Sequence, residues 1–140
     1  MQQPPLIPEL SCTDYKKSLD FYTRILQFSV LFQRPEEGFA MLERQGSQLM
    51  IDQIGLGRTW ATGDLTPPLG RGINFQIEAT DVNELYHRVQ QNRVTIFLPI
   101  EDKWYRTGDH DTGCRQFAVL DPDGYMLRFS RDIGTRPINE

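Results

Sequence analysis

The chain has 140 residues, with fifteen Lys and Arg against nineteen Asp and Glu, and its net charge of −4 with no basic cluster speaks against nucleic acid as a partner. No apolar run approaches the ~20 residues of a membrane span, and Met1-Gln2-Gln3-Pro4-Pro5 lacks the charged start and apolar stretch of a signal peptide, so no membrane association and a cytoplasmic location are expected. A hydrophobic fraction of 39% with aromatics spread along the chain excludes disorder and suits one domain over residues 1–140.

Alternation of apolar and polar residues predicts a first strand over about residues 6–12. Thr13-Asp14 then opens a helix over 14–26, whose Leu19, Tyr22, Ile25 and Leu26 fall at helical spacing. Strands are expected over 28–34, 38–44 and 48–54, completing a first module at about 5–54. Gly55 to Gly70, rich in Gly, Thr and Pro, reads as a crossing connection over about 55–71. A second module at about 72–131 follows, with a strand over 72–79, a helix over 81–92 carrying Val82, Leu85, Tyr86 and Val89, strands over 94–100, 114–120 and 125–131, and a C-terminal tail at 132–140.

The two modules are copies. Thr13-Asp14 recurs as Thr80-Asp81 at an offset of 67, and Phe39-Ala40-Met41-Leu42 recurs as Phe117-Ala118-Val119-Leu120 at an offset of 78. The second copy is therefore 11 residues longer between helix and hairpin, and the polar stretch Glu101 to Gly113 is where an inserted loop is expected. The predicted fold class is α+β: two βαβββ modules pairing curved mixed sheets around a cleft.

Strand periodicity assigns the faces. Leu6, Pro8, Leu10, Cys12, Ile73, Phe75, Ile77, Ala79, Leu49, Ile51, Leu127 and Phe129 are expected in the core. The opposite face then carries the carboxylates Glu9, Asp52 and Glu78, the amides Asn74 and Gln76, and the guanidinium of Arg128. Such a face is either the solvated side of an open sheet or a cleft suited to a polar, partly cationic ligand. Trp60 in the connection and Trp104-Tyr105 in the expected loop are large aromatics in polar surroundings, which serve recognition or close off core and dimer surfaces. Cys12 and Cys114 match no paired spacing and read as reduced, buried hydrophobes. Asp121-Pro122-Asp123-Gly124 is a tight turn by its own chemistry.

Ser18-Leu19-Asp20-Phe21-Tyr22 with Leu26-Gln27-Phe28, Asn74-Phe75-Gln76-Ile77-Glu78, and Arg115 to Tyr125 together resemble the glyoxalase/bleomycin resistance/dioxygenase superfamily over roughly residues 5–135. Enzymes of that superfamily hold a divalent metal with His, Glu or Gln from four strands. The positions resembling those ligands here are Ile7, Asn74, Met50 and Arg128, a set that gives a hard cation little to hold. The resemblance therefore points to the members without metal, the bleomycin resistance proteins, dimers that sequester a flat cationic antibiotic in clefts between subunits. Phe39 corresponds to one half of their aromatic clamp, and the other half falls near Gly113.

The function so implied is metal-independent binding of a polar aromatic or cationic small molecule by a homodimer, with no catalytic residue, metal or cofactor. Its expected site comprises Glu9, Phe39, Asp52, Trp60, Asn74, Gln76, Glu78, Trp104, Tyr105 and Arg128. The alternatives are a metal-dependent lyase, thiol transferase or dioxygenase with a rearranged ligand set drawn from Glu9, Asp52, Glu78 and His110, and an interaction module with no ligand.

Overall fold

The structure, a computed structural model, describes residues 3–138. The chain divides into two compact units: the part up to Arg71 together with the turn Asp121–Tyr125, and Gly72–Leu120 together with the part from Met126 onward.

In the first unit, β1 (Glu9–Cys12) leads into α1 (Tyr15–Asp20) and a π-helical turn at Phe21–Ile25, followed by β2 (Ser29–Arg34), a 3₁₀ turn at Pro35–Glu37, β3 (Phe39–Arg44) and β4 (Ser47–Gln53). Its sheet runs β1-β4-β3-β2, with β1 parallel to β4 and the other neighbours antiparallel. Asp14 starts α1, its carboxylate accepting the Lys17 amide at 3.2 Å, as the helix dipole favours. The expected helix over 14–26 changes character at Phe21, where the wider turn still directs Phe21, Tyr22, Ile25 and Leu26 inward, all of them buried.

The second unit repeats the plan with β5 (Asn74–Glu78), α2 (Val82–Gln91), β6 (Ile96–Thr107), β7 (His110–Leu120) and β8 (Met126–Pro137), in the sheet order β5-β8-β7-β6. Val82, Leu85 and Val89 of α2 are buried. Tyr86 lies over Phe117, which stacks on Phe129 at 5.4 Å. Burying each such ring contributes about 1.5–3 kcal/mol. The two mixed four-stranded sheets are those expected of paired βαβββ modules.

Two expectations give way. Glu101 to Gly113 is no loop: it continues β6 and opens β7 as a hairpin whose pairs run from Glu101↔Gln116 to Thr107↔His110, turning at Gly108-Asp109. Trp104, Tyr105, Thr107 and Thr112 are good strand formers, and the φ of +71° at Gly108 suits a two-residue turn. The segment 132–137, expected as tail, is the end of β8 and pairs with β7 as far as His110↔Pro137.

The repeat holds in register, with one slip. Glu9 lies opposite Met50 and Gln76 opposite Arg128, so the offsets of 67 and 78 carry over to the outer strand pairs. In the next strand, however, Phe39 lies opposite Asp52 whereas Gln116 lies opposite Ser130. Gln116, and not Phe117, is thus the counterpart of Phe39. The cause is turn length: Gln45-Gly46 joins β3 to β4, while Asp121–Tyr125 joins β7 to β8, which displaces the ladder by one residue and sends the two phenylalanines to opposite faces.

The turn Asp121–Tyr125 completes the first unit's packing. Fully buried Tyr22 donates its hydroxyl to Asp121 Oδ2 at 2.8 Å, while Asp121 Oδ1 accepts the Asp123 and Tyr125 amides at 2.8 and 3.0 Å. The Thr13 hydroxyl donates to Asp123 Oδ1 at 2.6 Å. Gly70 is held to glycine by its φ of +72° and by the Tyr125 ring, which a Cβ would meet at 2.4 Å.

Candidate functional site

In the first unit a row of side chains crosses all four strands of one sheet face: Ser11, Asp52, Phe39 and Arg34, each paired with the next. The adjoining row is Glu9, Met50, Met41 and Phe32. The face opens into a recess of about 270 Å³ lined by Glu9, Arg34, Glu37, Phe39, Asp52, Gly57, Arg58 and Trp60. Glu37 is brought there by the 3₁₀ turn, which Gly38 closes with its amide bonded to the Pro35 carbonyl at 3.0 Å. A Cβ on Gly38 would lie 2.6 Å from that of Gln53.

The recess combines aromatic faces with alternating charge. The Arg34 guanidinium lies 4.1 Å from the Phe39 centroid and donates through Nε to Glu37, and Arg58 lies 5.0 Å from the Trp60 ring. Trp60 itself is 62% exposed and Phe39 is 7% exposed, so one aromatic is fixed and the other is open to solvent. Burial raises the Glu9 carboxyl above its ordinary value; the charge of Asp52 adds to this and Arg34 opposes it. Burial likewise raises Asp52, reinforced by Glu37 and again opposed by Arg34. Three carboxylates face two guanidinium groups, an arrangement that gains from a further cation.

In the second unit a cavity of about 400 Å³ is lined by Gln76, Tyr105, Thr107, Thr112, Cys114, Arg128 and Ser130. Arg128 donates from Nε to Asn74 Oδ1 and from Nη1 to Gln116 Oε1, both at 3.1 Å. Gln116, 2% exposed, spends its amide nitrogen on Glu101 at 2.9 Å and on the Tyr105 hydroxyl at 2.7 Å.

Of the residues expected from sequence, the structure gathers Glu9, Phe39, Asp52 and Trp60 around the first recess and Gln76, Tyr105 and Arg128 around the second cavity. Trp104, Asn74 and Glu78 line neither. Trp104 lies across Gly113, whose Cβ would meet its ring at 2.8 Å, with Arg136 stacked 4.2 Å away. Strand alternation explains why Trp104 and its neighbour Tyr105 part company. Asn74 holds Arg128, and Glu78 is exposed opposite Ser130. Arg34, Glu37, Arg58 and the buried Gln116 were not expected at a site. Cys114, expected to be a buried inert hydrophobe, is half-buried and lines the second cavity, whereas Cys12 is buried, its thiol pushed up to about 12 chiefly by desolvation.

The Glyoxalase/Bleomycin resistance protein/Dioxygenase superfamily profile matches residues 7–129. The chain belongs to that superfamily. It is 27% identical over 138 residues to a bleomycin resistance protein of Geobacillus stearothermophilus, covering 91% of this chain and 96% of the relative, and equally so to one of Staphylococcus aureus. Among solved structures it is similar to TioX from Micromonospora sp. ML1, with a TM-score of 0.73 at 25% identity over 94% of this chain and all of that one. A virulence protein of Salmonella typhimurium shares the fold, with a TM-score of 0.68 at 16% identity over 94% of this chain and 98% of that one.

Enzymes of this superfamily use a metal, and the residues at the corresponding positions do not fit one. In the first unit Ile7 and Met50 offer no hard donor. In the second, Arg128 puts a permanent positive charge beside Asn74 and engages its side-chain oxygen. Among the described residues no three His, Cys, Asp or Glu side chains converge as a cation requires. Nor is any described helix long and apolar enough to cross a membrane.

Proposed function

We propose that this superfamily member is a metal-independent small-molecule-binding protein of the bleomycin-resistance type, a cytoplasmic homodimer that sequesters a planar cationic ligand without altering it. The observation that carries this reading is the first unit's recess, where the faces of Phe39 and Trp60 stand beside Glu9, Glu37 and Asp52. A planar cation gains there from stacking and from cation–π attraction, about 0.5–2 kcal/mol per ring, and from the Glu9 and Asp52 carboxylates, whose charge is disfavoured chiefly by burial and would be stabilised by a cation. The relatives named bleomycin resistance proteins add support from their full-length similarity.

The homodimer is supported by large apolar side chains left half or more exposed, Phe32 at 50%, Ile73 at 51% and Phe97 at 61%, which a second copy would cover. Free thiols at Cys12 and Cys114 suit a reducing compartment.

The test is a titration of Trp60 fluorescence in a Trp104→Phe variant, with bleomycin and with 9-aminoacridine, while sedimentation reads the assembly state. Saturable quenching that Phe39→Ala weakens at least tenfold is expected. Absence of a saturable response to both compounds, or a response untouched by Phe39→Ala, would overturn the reading.

A further inference from the structure

We propose that the cavity of the second unit is a separate carboxylate-binding site centred on Arg128, taking an organic monocarboxylate with a small planar body. Arg128 is the sole formal charge among the seven lining residues. Its two hydrogen bonds go to neutral amide oxygens, Asn74 Oδ1 and Gln116 Oε1, and among the described residues no carboxylate pairs with it. Among the described residues nothing accepts from Nη2, which leaves it for a ligand. The guanidinium is at once held in place and left without a counter-charge, the condition under which its planar fork takes a carboxylate best.

The surrounding network fixes this arrangement. Glu101 and the Tyr105 hydroxyl both accept from Gln116 Nε2, which orients the amide so that Oε1 faces Arg128. Glu101 accepts from the Gln116 amide and forms no ion pair with Arg128 among the described residues. Having accepted that bond, the Tyr105 hydroxyl retains its own proton to donate, and Ser130 adds a second hydroxyl on the wall. Thr107 and Thr112 are tied to each other by a hydroxyl bond of 2.9 Å, and their methyl groups with the Tyr105 ring supply apolar surface. A bare oxyanion would leave that surface unused in about 400 Å³, whereas a carboxylate carrying a ring or short chain uses both.

This inference is independent of the reading of the first unit. Its test is a ¹⁵N NMR titration of the full chain with sodium benzoate, with benzamide as the neutral isostere and sodium sulfate as the inorganic anion, all at constant ionic strength. Benzoate is expected to shift the Arg128 Nε–H and the Gln76 and Ser130 amides saturably, with benzamide and sulfate at least tenfold weaker. Arg128→Met is expected to lose at least tenfold in benzoate affinity while the remaining amides stay dispersed. The comparison of benzoate with benzamide on the unaltered protein needs no variant. Benzamide or sulfate binding as tightly as benzoate, or benzoate shifts that avoid Arg128, would overturn the proposal.

Discussion

The guanidinium carbon of Arg34 lies 4.1 Å from the centroid of Phe39, its cross-strand partner between β2 and β3. The ring face proposed for a ligand is thus already covered by a cation of the chain's own, held by Glu37. An incoming planar cation competes with it. Replacing Arg34 by Met removes the competitor and leaves the carboxylates, so affinity for 9-aminoacridine is expected to rise about fivefold, equivalent to about 1 kcal/mol of cation–π attraction. Calorimetric titration of the two proteins checks this, and weaker binding to Arg34→Met would show that Arg34 contributes to the ligand's hold.

Ligand binding and stability should respond to pH in opposite senses. Glu9 and Asp52 both have raised proton affinity, so they lose charge at a higher pH than ordinary carboxylates, and affinity for a cation is expected to fall as pH is lowered, starting above the ordinary Glu value of 4.5. For the free protein, a folded-state pKa above the unfolded one gives a stabilising contribution that is complete below the unfolded value and lost as pH rises through the folded value. Glu9→Gln is therefore expected to raise the urea midpoint at pH 7, with the gain closing below the ordinary value of 4.5. An equal gain at pH 7 and pH 4 would contradict the sign.

The hydroxyl of Tyr22 joins residues 99 apart in sequence, donating to Asp121 at 2.8 Å in a fully enclosed setting. Tyr22→Phe leaves Asp121 with its two amide donors and removes one bond to a buried charged acceptor, a loss of about 2 kcal/mol. A lower urea midpoint with an unchanged slope is the expected result.

Trp104 fills the space above Gly113, where a Cβ would stand 2.8 Å from its ring and 2.9 Å from Ile133. Gly113→Val must displace that ring from its place beneath Arg136, and a destabilisation of about 1–3 kcal/mol is expected. In a Trp60→Phe background, Trp104 emission should shift with it. An unshifted spectrum would place the ring elsewhere.

The paired architecture was legible because strand alternation and the helix-start Asp residues survive in both copies. The offsets read from Thr13-Asp14 and Thr80-Asp81 reappear as the register of Glu9 with Met50 and Gln76 with Arg128. The third strand misled because Phe-Ala-x-Leu looks alike in both copies while the turns that follow differ in length, and only the ladder shows that Phe39 answers to Gln116. The strand around Trp104 reads as loop in the sequence because its polar residues hide the alternation that separates Trp104 from Tyr105. Arg34 and Glu37 carried no local signal: their place depends on a cross-strand pair and on a turn closed by Gly38.

Capture of a planar cation against Phe39 by the carboxylates of the first unit can be seen in a bound structure. A crystal structure of the protein grown with 9-aminoacridine addresses it most directly. The expected result is the ring stacked on Phe39 with the Arg34 guanidinium displaced from that face, and the ligand's charged nitrogen within about 4 Å of Glu9 or Asp52. An ordered ligand bound away from this recess, with Arg34 still covering Phe39, would contradict the account.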